Sequence, residues 1–273
     1  MNSVDVREIA IQNESPSHPP MLEVSDLHHE YRARSGTNVA IDNLSFTVDK
    51  HELVAIVGPS GAGKTTLLRC LSGLLQPTSG TVEMLGQRVS GVPDGMAMVF
   101  QDYGRSLYPW MKVNANVSFP LLRLGLSRDE RRARVDNALA AVGLAKSKTM
   151  YPWELSGGMQ QRVAIARALA YQPRLLIMDE PFASVDAQTR AELEDLVLSI
   201  WEVRSDMTIL FVTHDIDESI YLSDRTLVLS RPPSTLARDV TIDLARPRNQ
   251  IDTKADPKFV RLRTEVTKLI TQP

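Results

Sequence analysis

With one cysteine in 273 residues, the chain has no partner for an internal disulfide and no second thiolate for a metal cluster. Cys70 falls in an apolar run, where a thiol behaves as a small buried hydrophobe, and this usage suits a reducing compartment. Long hydrophobic runs are also missing, since none approaches the roughly 20 residues that span a bilayer. The opening MNSVDVREIAIQNESPSHPP has neither a basic stretch nor an apolar core, so it is not read as a secretory signal. No sign of charge dominates. The 31 Lys and Arg face 33 Asp and Glu, which argues against a bulk electrostatic partner such as nucleic acid. The expectation is a soluble chain that meets a membrane only through partners.

Short apolar runs are present instead. LVAIVG, AMVFQ, LLIMDE and ILFVTHD are nearly continuous in apolar residues, as strands covered on both faces are, and RTLVLS follows them. Helical patterns separate several of these runs, which points to an α/β core with a mostly parallel sheet. MLEVSDLHHEY and NLSFTV add an N-terminal antiparallel β segment. Residues 1–20 are polar and proline-rich and are expected to be a disordered tail. Residues 21–101 and 173–232 are expected to form the α/β core, and 102–172 an inserted helical subdomain. Within the insert, Ser127 and Glu130 make a capping-box pair, Gly143 sits at a helix end, and Val135, Ala138, Leu139 and Val142 share one face. The RDERRAR run there reads as a solvated face. Residues 233–273 carry one strand, VTIDL, and an amphipathic helix with Phe259, Leu262, Val266, Leu269 and Ile270 on its apolar side. The arginines of this tail read as solvated surface, with a lipid-binding patch as the alternative.

GPSGAGKTT supplies the chemistry. Gly58, Pro59, Ser60, Gly61, Ala62, Gly63, Lys64, Thr65 and Thr66 follow an apolar strand and open a helix, the setting that a phosphate loop requires. The glycines let successive N–H groups converge on phosphate oxygens, Lys64 neutralises β/γ-phosphate charge, and the Thr65 hydroxyl suits Mg²⁺. Asp179 and Glu180 end the strand LLIM, where open α/β sheets bind ligands. Asp179 suits Mg²⁺, and Glu180 is then free to orient or deprotonate an attacking water. His214 ends another buried strand and can reach a γ-phosphate. Gln101 ends AMVFQ, where a neutral amide can meet both metal and water. A second anion seat opens a helix at LSGGMQQ, with Ser156, Gly157 and Gly158 but no lysine.

Together these stretches resemble the ATP-binding cassette (ABC) ATPases, P-loop NTPases with a RecA-like core. GPSGAGKT resembles the Walker A loop, VFQ the Q-loop, LSGGMQQ the signature, LLIMDE Walker B, SVDAQTR the D-loop and VTHD the switch histidine, all in the family's order. Met159 and Val185 depart from the residues usual at their positions, and neither removes a catalytic group. The resemblance implies ATP and Mg²⁺ as ligands and a head-to-tail dimer in which one copy's signature faces the other's Walker A loop. It assigns Tyr31 to adenine stacking and adds Gln160 and Asp186 to the nucleotide site. SLYPWMKVNANVSFPL and the tail look like the branch that imports nitrate, sulfonates and taurine. That likeness implies an ATPase at the cytoplasmic face of the membrane. A permease helix would enter a groove beside Gln101, and an extracytoplasmic solute-binding protein would be an indirect partner. Tyr108, Pro109, Trp110 and Met111 are candidates to line the groove; otherwise they are core of the helical subdomain. The rival reading is a soluble ABC-type ATPase of an assembly or DNA-associated complex. The stretch from Lys64 to Ser156 is too short for the long coiled coil of the DNA-associated kind.

Overall fold

The apolar runs become adjacent strands. The computed structural model describes residues 19–33 and 36–271. In it β3 (Leu53–Val57), β8 (Thr208–Val212), β7 (Leu175–Asp179) and β6 (Met96–Val99) run parallel in that order. β9 (Arg225–Leu229) joins the other side of β3 in parallel, and β10 (Leu236–Thr241) closes that edge antiparallel. Alternate residues of β3 enter different cores: Leu53, Ala55 and Val57 face one, Val54 and Ile56 the other. This double burial is why the strands are apolar without alternation.

A second, antiparallel sheet has the order β2-β1-β4-β5, from β1 (Leu22–Ala33), β2 (Gly36–Val48), β4 (Ser79–Met84) and β5 (Gln87–Arg88). Helix α1 (Lys64–Leu71) shares its core: Leu67, Leu68, Cys70 and Leu71 pack with Leu22, Leu27 and Leu44 and with the inner face of β3.

From 102 to 172 the described chain is helical and contains no strand. It holds α2 (Tyr103–Ser106), α3 (Val113–Ser118), α4 (Arg128–Ala141) and α5 (Gly157–Ala170). The Ser127–Glu130 capping box is present at α4, and Val135, Ala138, Leu139 and Val142 are buried. Next come α6 (Ala187–Val203), α7 (Ile216–Leu222), α8 (Asp252–Ala255) and α9 (Pro257–Thr271). Phe259 and Val266 anchor α9 in the core.

Two expectations are corrected. The C-terminal strand is Leu236–Thr241, not VTIDL, because its partner β9 begins at Arg225 opposite Thr241 and the ladder ends there. The tail arginines are not all solvated: Arg248 is buried, and its guanidinium donates to the carbonyls of Ile220, Tyr221 and Ser223 at the end of α7. Arg246 bonds Asp224 at 2.8 Å and lies 4.4 Å from the Trp201 ring. Unpaired helix carbonyls provide the acceptors that make burial of Arg248 tolerable. The tail expected at 1–20 falls outside the described residues except for positions 19 and 20.

Candidate functional site

The phosphate loop leaves the carboxyl end of β3 and enters α1 at Lys64. Gly63 has φ +68°, and a Cβ there would lie 2.9 Å from the Ala40 carbonyl oxygen, so the loop passes too close to β2 for a side chain. Buried Ser234 braces the loop from the far end of the chain. Its hydroxyl donates to Ala62 O at 2.6 Å, and its backbone pairs with Ala40 and Asp42 of β2. The Lys64 ammonium curls back onto the carbonyls of Gly58 and Pro59 at 2.9 and 3.0 Å. Burial lowers its pKa, against the pull of Glu180 and Asp179 in the opposite sense. Tyr31 stands beside this helix, with its hydroxyl 3.1 Å from Thr66 Oγ1 and its ring edge-on to buried His29 at 4.7 Å.

Three sequence-predicted residues meet on one oxygen. Gln101 Nε2 donates to Glu180 Oε2 at 2.9 Å, and His214 Nδ1 lies 3.1 Å from the same atom. They come from the ends of β6, β7 and β8, three neighbouring parallel strands, so sheet order alone brings them together. Glu180 has φ +43°, a left-handed backbone that costs a non-glycine residue about 1–3 kcal/mol. Its N–H donates to Val212 O at 2.9 Å, which ties the turn to β8.

Asp179 is half-buried, and burial, then the neighbouring Glu180, raises its carboxyl above the usual range. Among the described residues no hydrogen bond or ion pair joins its carboxylate, although its backbone belongs to the β7–β8 ladder. A half-buried carboxylate without a hydrogen-bond donor fits a cation. With the Thr65 hydroxyl and the Gln101 amide oxygen it offers the hard oxygen donors that Mg²⁺ takes.

The turn expected to seat a second anion is not joined to the first: among the described residues, no hydrogen bond or ion pair links Ser156–Gly158 to Gly58–Thr66. Ser156 caps α5 by accepting from Met159 N at 3.3 Å, and Ser156 and Gly157 are exposed. The first-turn N–H groups there have no helical acceptor. Gly158 has an intramolecular reason as well, since a Cβ would lie 2.4 Å from Thr189 Cγ2. Gln160 faces inward, donating to Pro152 O and Leu155 O at 3.0 and 3.3 Å. Asp186 caps α6 with bonds from the Thr189 N–H and hydroxyl, which hold its carboxyl below the usual range.

Of the candidate groove residues, only Tyr108 lines the groove of about 600 Å³ beside β6, with Met96, Met98, Phe100 and Phe119. Trp110 turns outward and is 70% exposed. The cause is Asn116, fully buried, whose amide pins Tyr108 N and the carbonyls of Tyr108 and Met111 at 2.8–3.0 Å. Asn116, Ser234 and Gln161 are not among the residues that the sequence singles out. The last had a visible signal: it lies on the buried α5 stripe of Ala164, Ile165 and Ala168, where a polar residue needs a partner.

Comparison with known proteins places these features in context. A family model described as ABC transporter matches residues 41–183. A nitrate import ATP-binding protein (NrtD) of Synechocystis sp. is 43% identical over 254 residues, covering 91% of this chain and 94% of the relative. A taurine import ATP-binding protein (TauB) of Yersinia pestis is 39% identical, covering 90% and 95%. Among solved structures, a dimeric post-hydrolysis state of the ATP-binding cassette MJ0796, bound to ADP and Pi, aligns with TM-score 0.70 at 29% identity, covering 81% of this chain and 99% of that one. cbiO1 from Clostridium perfringens, part of the ABC transporter complex cbiONQ, aligns with TM-score 0.73 at 30% identity, covering 82% and 89%.

Proposed function

The chain belongs to the ABC transporter family of ATPases, and from that premise we propose that it powers uptake of a small solute, such as nitrate or taurine, through a membrane permease. The observation that carries the catalytic reading is the convergence of Gln101 and His214 on Glu180 Oε2. A carboxylate fixed between two polar side chains at a strand end is oriented to take a proton from water, which proximity makes effective. Lys64 and the N–H groups of the phosphate loop hold the β- and γ-phosphates. Thr65, Asp179 and Gln101 would hold Mg²⁺, which when bound draws charge from the phosphate oxygens. Tyr31 offers its partly exposed ring to adenine.

The Ser156–Gly158 turn is one half of a shared site. Its exposed N–H groups suit a γ-phosphate held on the Lys64 loop of a second copy, and the dimeric state of the MJ0796 cassette supports this pairing. ATP binding closes the head-to-tail dimer, and hydrolysis reopens it. Each state is favoured only by the difference in its affinity for nucleotide. The groove lined by Tyr108 and Phe100 receives the permease helix at the junction where Gln101 begins the helical stretch. Among the described residues no helix is long and apolar enough to cross a membrane. In this reading solute choice rests with the permease and its external binding protein.

Glu180→Gln tests this reading. The variant binds ATP, accumulates as a dimer on size exclusion and turns over at least about a hundredfold more slowly. Parental turnover would remove Glu180 as the base. Co-purification of a polytopic membrane protein from detergent extract supports the transport role, and its absence favours a soluble assembly.

A further inference from the structure

Gln161 is the one fully buried amide on α5, and its side chain leaves the helix to reach the catalytic turn. Its Nε2 donates to the Pro181 carbonyl at 2.5 Å, one residue beyond Glu180. Its Oε1 is buried without a hydrogen-bond partner. A methionine of similar length would fill this space without the unsatisfied oxygen, so the amide is a poor choice for packing alone. What the amide supplies is a hold on a particular backbone atom.

That hold acts on a turn that needs holding. Glu180 sits at φ +43°. Pro181, lacking an N–H, cannot anchor the turn by donating, so its carbonyl is the handle available. The turn is fixed from three sides. The Glu180 N–H bonds Val212 of β8, the Ala183 N–H bonds Glu180 O at 3.3 Å, and Gln161 reaches in from α5. Of the three, only the Gln161 bond comes from outside the sheet and the turn itself. Gln161 also lies one helical turn after Ser156 and Gly157, the end of α5 that faces the second copy in the reading above.

We propose that Gln161 is a positioning residue for hydrolysis: through Pro181 it sets the Glu180 carboxylate, and it ties that carboxylate to the helix whose first turn serves the partner's nucleotide. The proposal rests on Glu180 being the general base. Displacing a base by a fraction of an ångström lowers turnover without weakening nucleotide binding, since Gln161 touches no surface open to ATP.

The test uses Gln161→Met, which keeps the length and removes the donor. The expected result is a kcat lowered by about tenfold or more, a KM for ATP within about twofold of the parent, and a thermal midpoint that does not fall. Parental kcat in the folded variant overturns the proposal, as does a loss of kcat accompanied by a matching fall in thermal midpoint. Combining Gln161→Met with Glu180→Gln separates positioning from damage to the partner-facing turn. The ATP-bound dimer of the double variant should still form, and its loss would assign the defect to that turn and overturn the proposal. Glu180→Gln measured alone distinguishes the two readings. If it is inactive while Gln161→Met turns over normally, only the positioning role fails. If Glu180→Gln is itself fully active, the premise fails.

Discussion

Burial determines the chemistry of individual side chains here, and Cys70 gives the simplest case. Packed among α1 and two sheets, its thiol is pushed up to about 11, so almost none is thiolate near neutrality. The folded chain should resist a water-soluble alkylating reagent and react fully in denaturant, as mass spectrometry would record. Rapid labelling of the native protein would contradict the packing. The buried character of Cys70 was legible from its apolar neighbours. The difference between Gln160 and Gln161 was not legible to the same degree. Both are glutamines in one motif, yet one ties down the preceding loop and the other the turn after Glu180. Glu180, His214 and Gln101 were legible because each ends an apolar run. Their meeting on a single oxygen depends on strand order, which no local pattern encodes.

Helix α5 depends on how closely α6 approaches it. Gly158 faces the Thr189 methyl with no room for a Cβ, while the Thr189 hydroxyl is committed to Asp186. Gly158→Ala should cost about 1–3 kcal/mol in urea denaturation, the usual range for overpacking. Adding Thr189→Ser, which removes the methyl and keeps the hydroxyl, should recover most of it. No recovery would mean the strain lies elsewhere. Ser156 and Gly157 substitutions belong to the same element and have a different signature: they should spare ATP binding by the single chain and abolish ATP-driven dimerisation. Helix and strand types were legible from periodicity and caps, as the Ser127–Glu130 box illustrates. The end of β10 was not, because it is fixed by where its neighbour β9 begins, 16 residues before Thr241 (241 − 225).

At the scale of the whole chain, the C-terminal segment is fastened to the catalytic core by buried polar contacts that composition could not reveal. Arg248 caps α7, and Gln250 and Lys254 reach Glu194 on α6. Close by, Glu218 is buried, with Glu194, Asp215, Arg190 and Thr213 around it, and burial raises its carboxyl well above the usual range. The folded chain therefore keeps a proton that the unfolded chain releases above about pH 4.3. Stability contributed at this site falls as pH rises from there toward the folded-state value. Glu218→Gln should raise the calorimetric midpoint by a few degrees at about pH 8 and leave it unchanged near pH 4. An equal gain at both values would assign the effect to packing. The left-handed backbone at Glu180 has a related consequence for any effort to harden this protein. Glycine would relieve that strain, so a selection for heat tolerance alone would favour Glu180→Gly and discard the carboxylate. With Glu180 as the proposed base, robustness and turnover compete at one codon, and only selection under a demand for ATP hydrolysis would keep glutamate there.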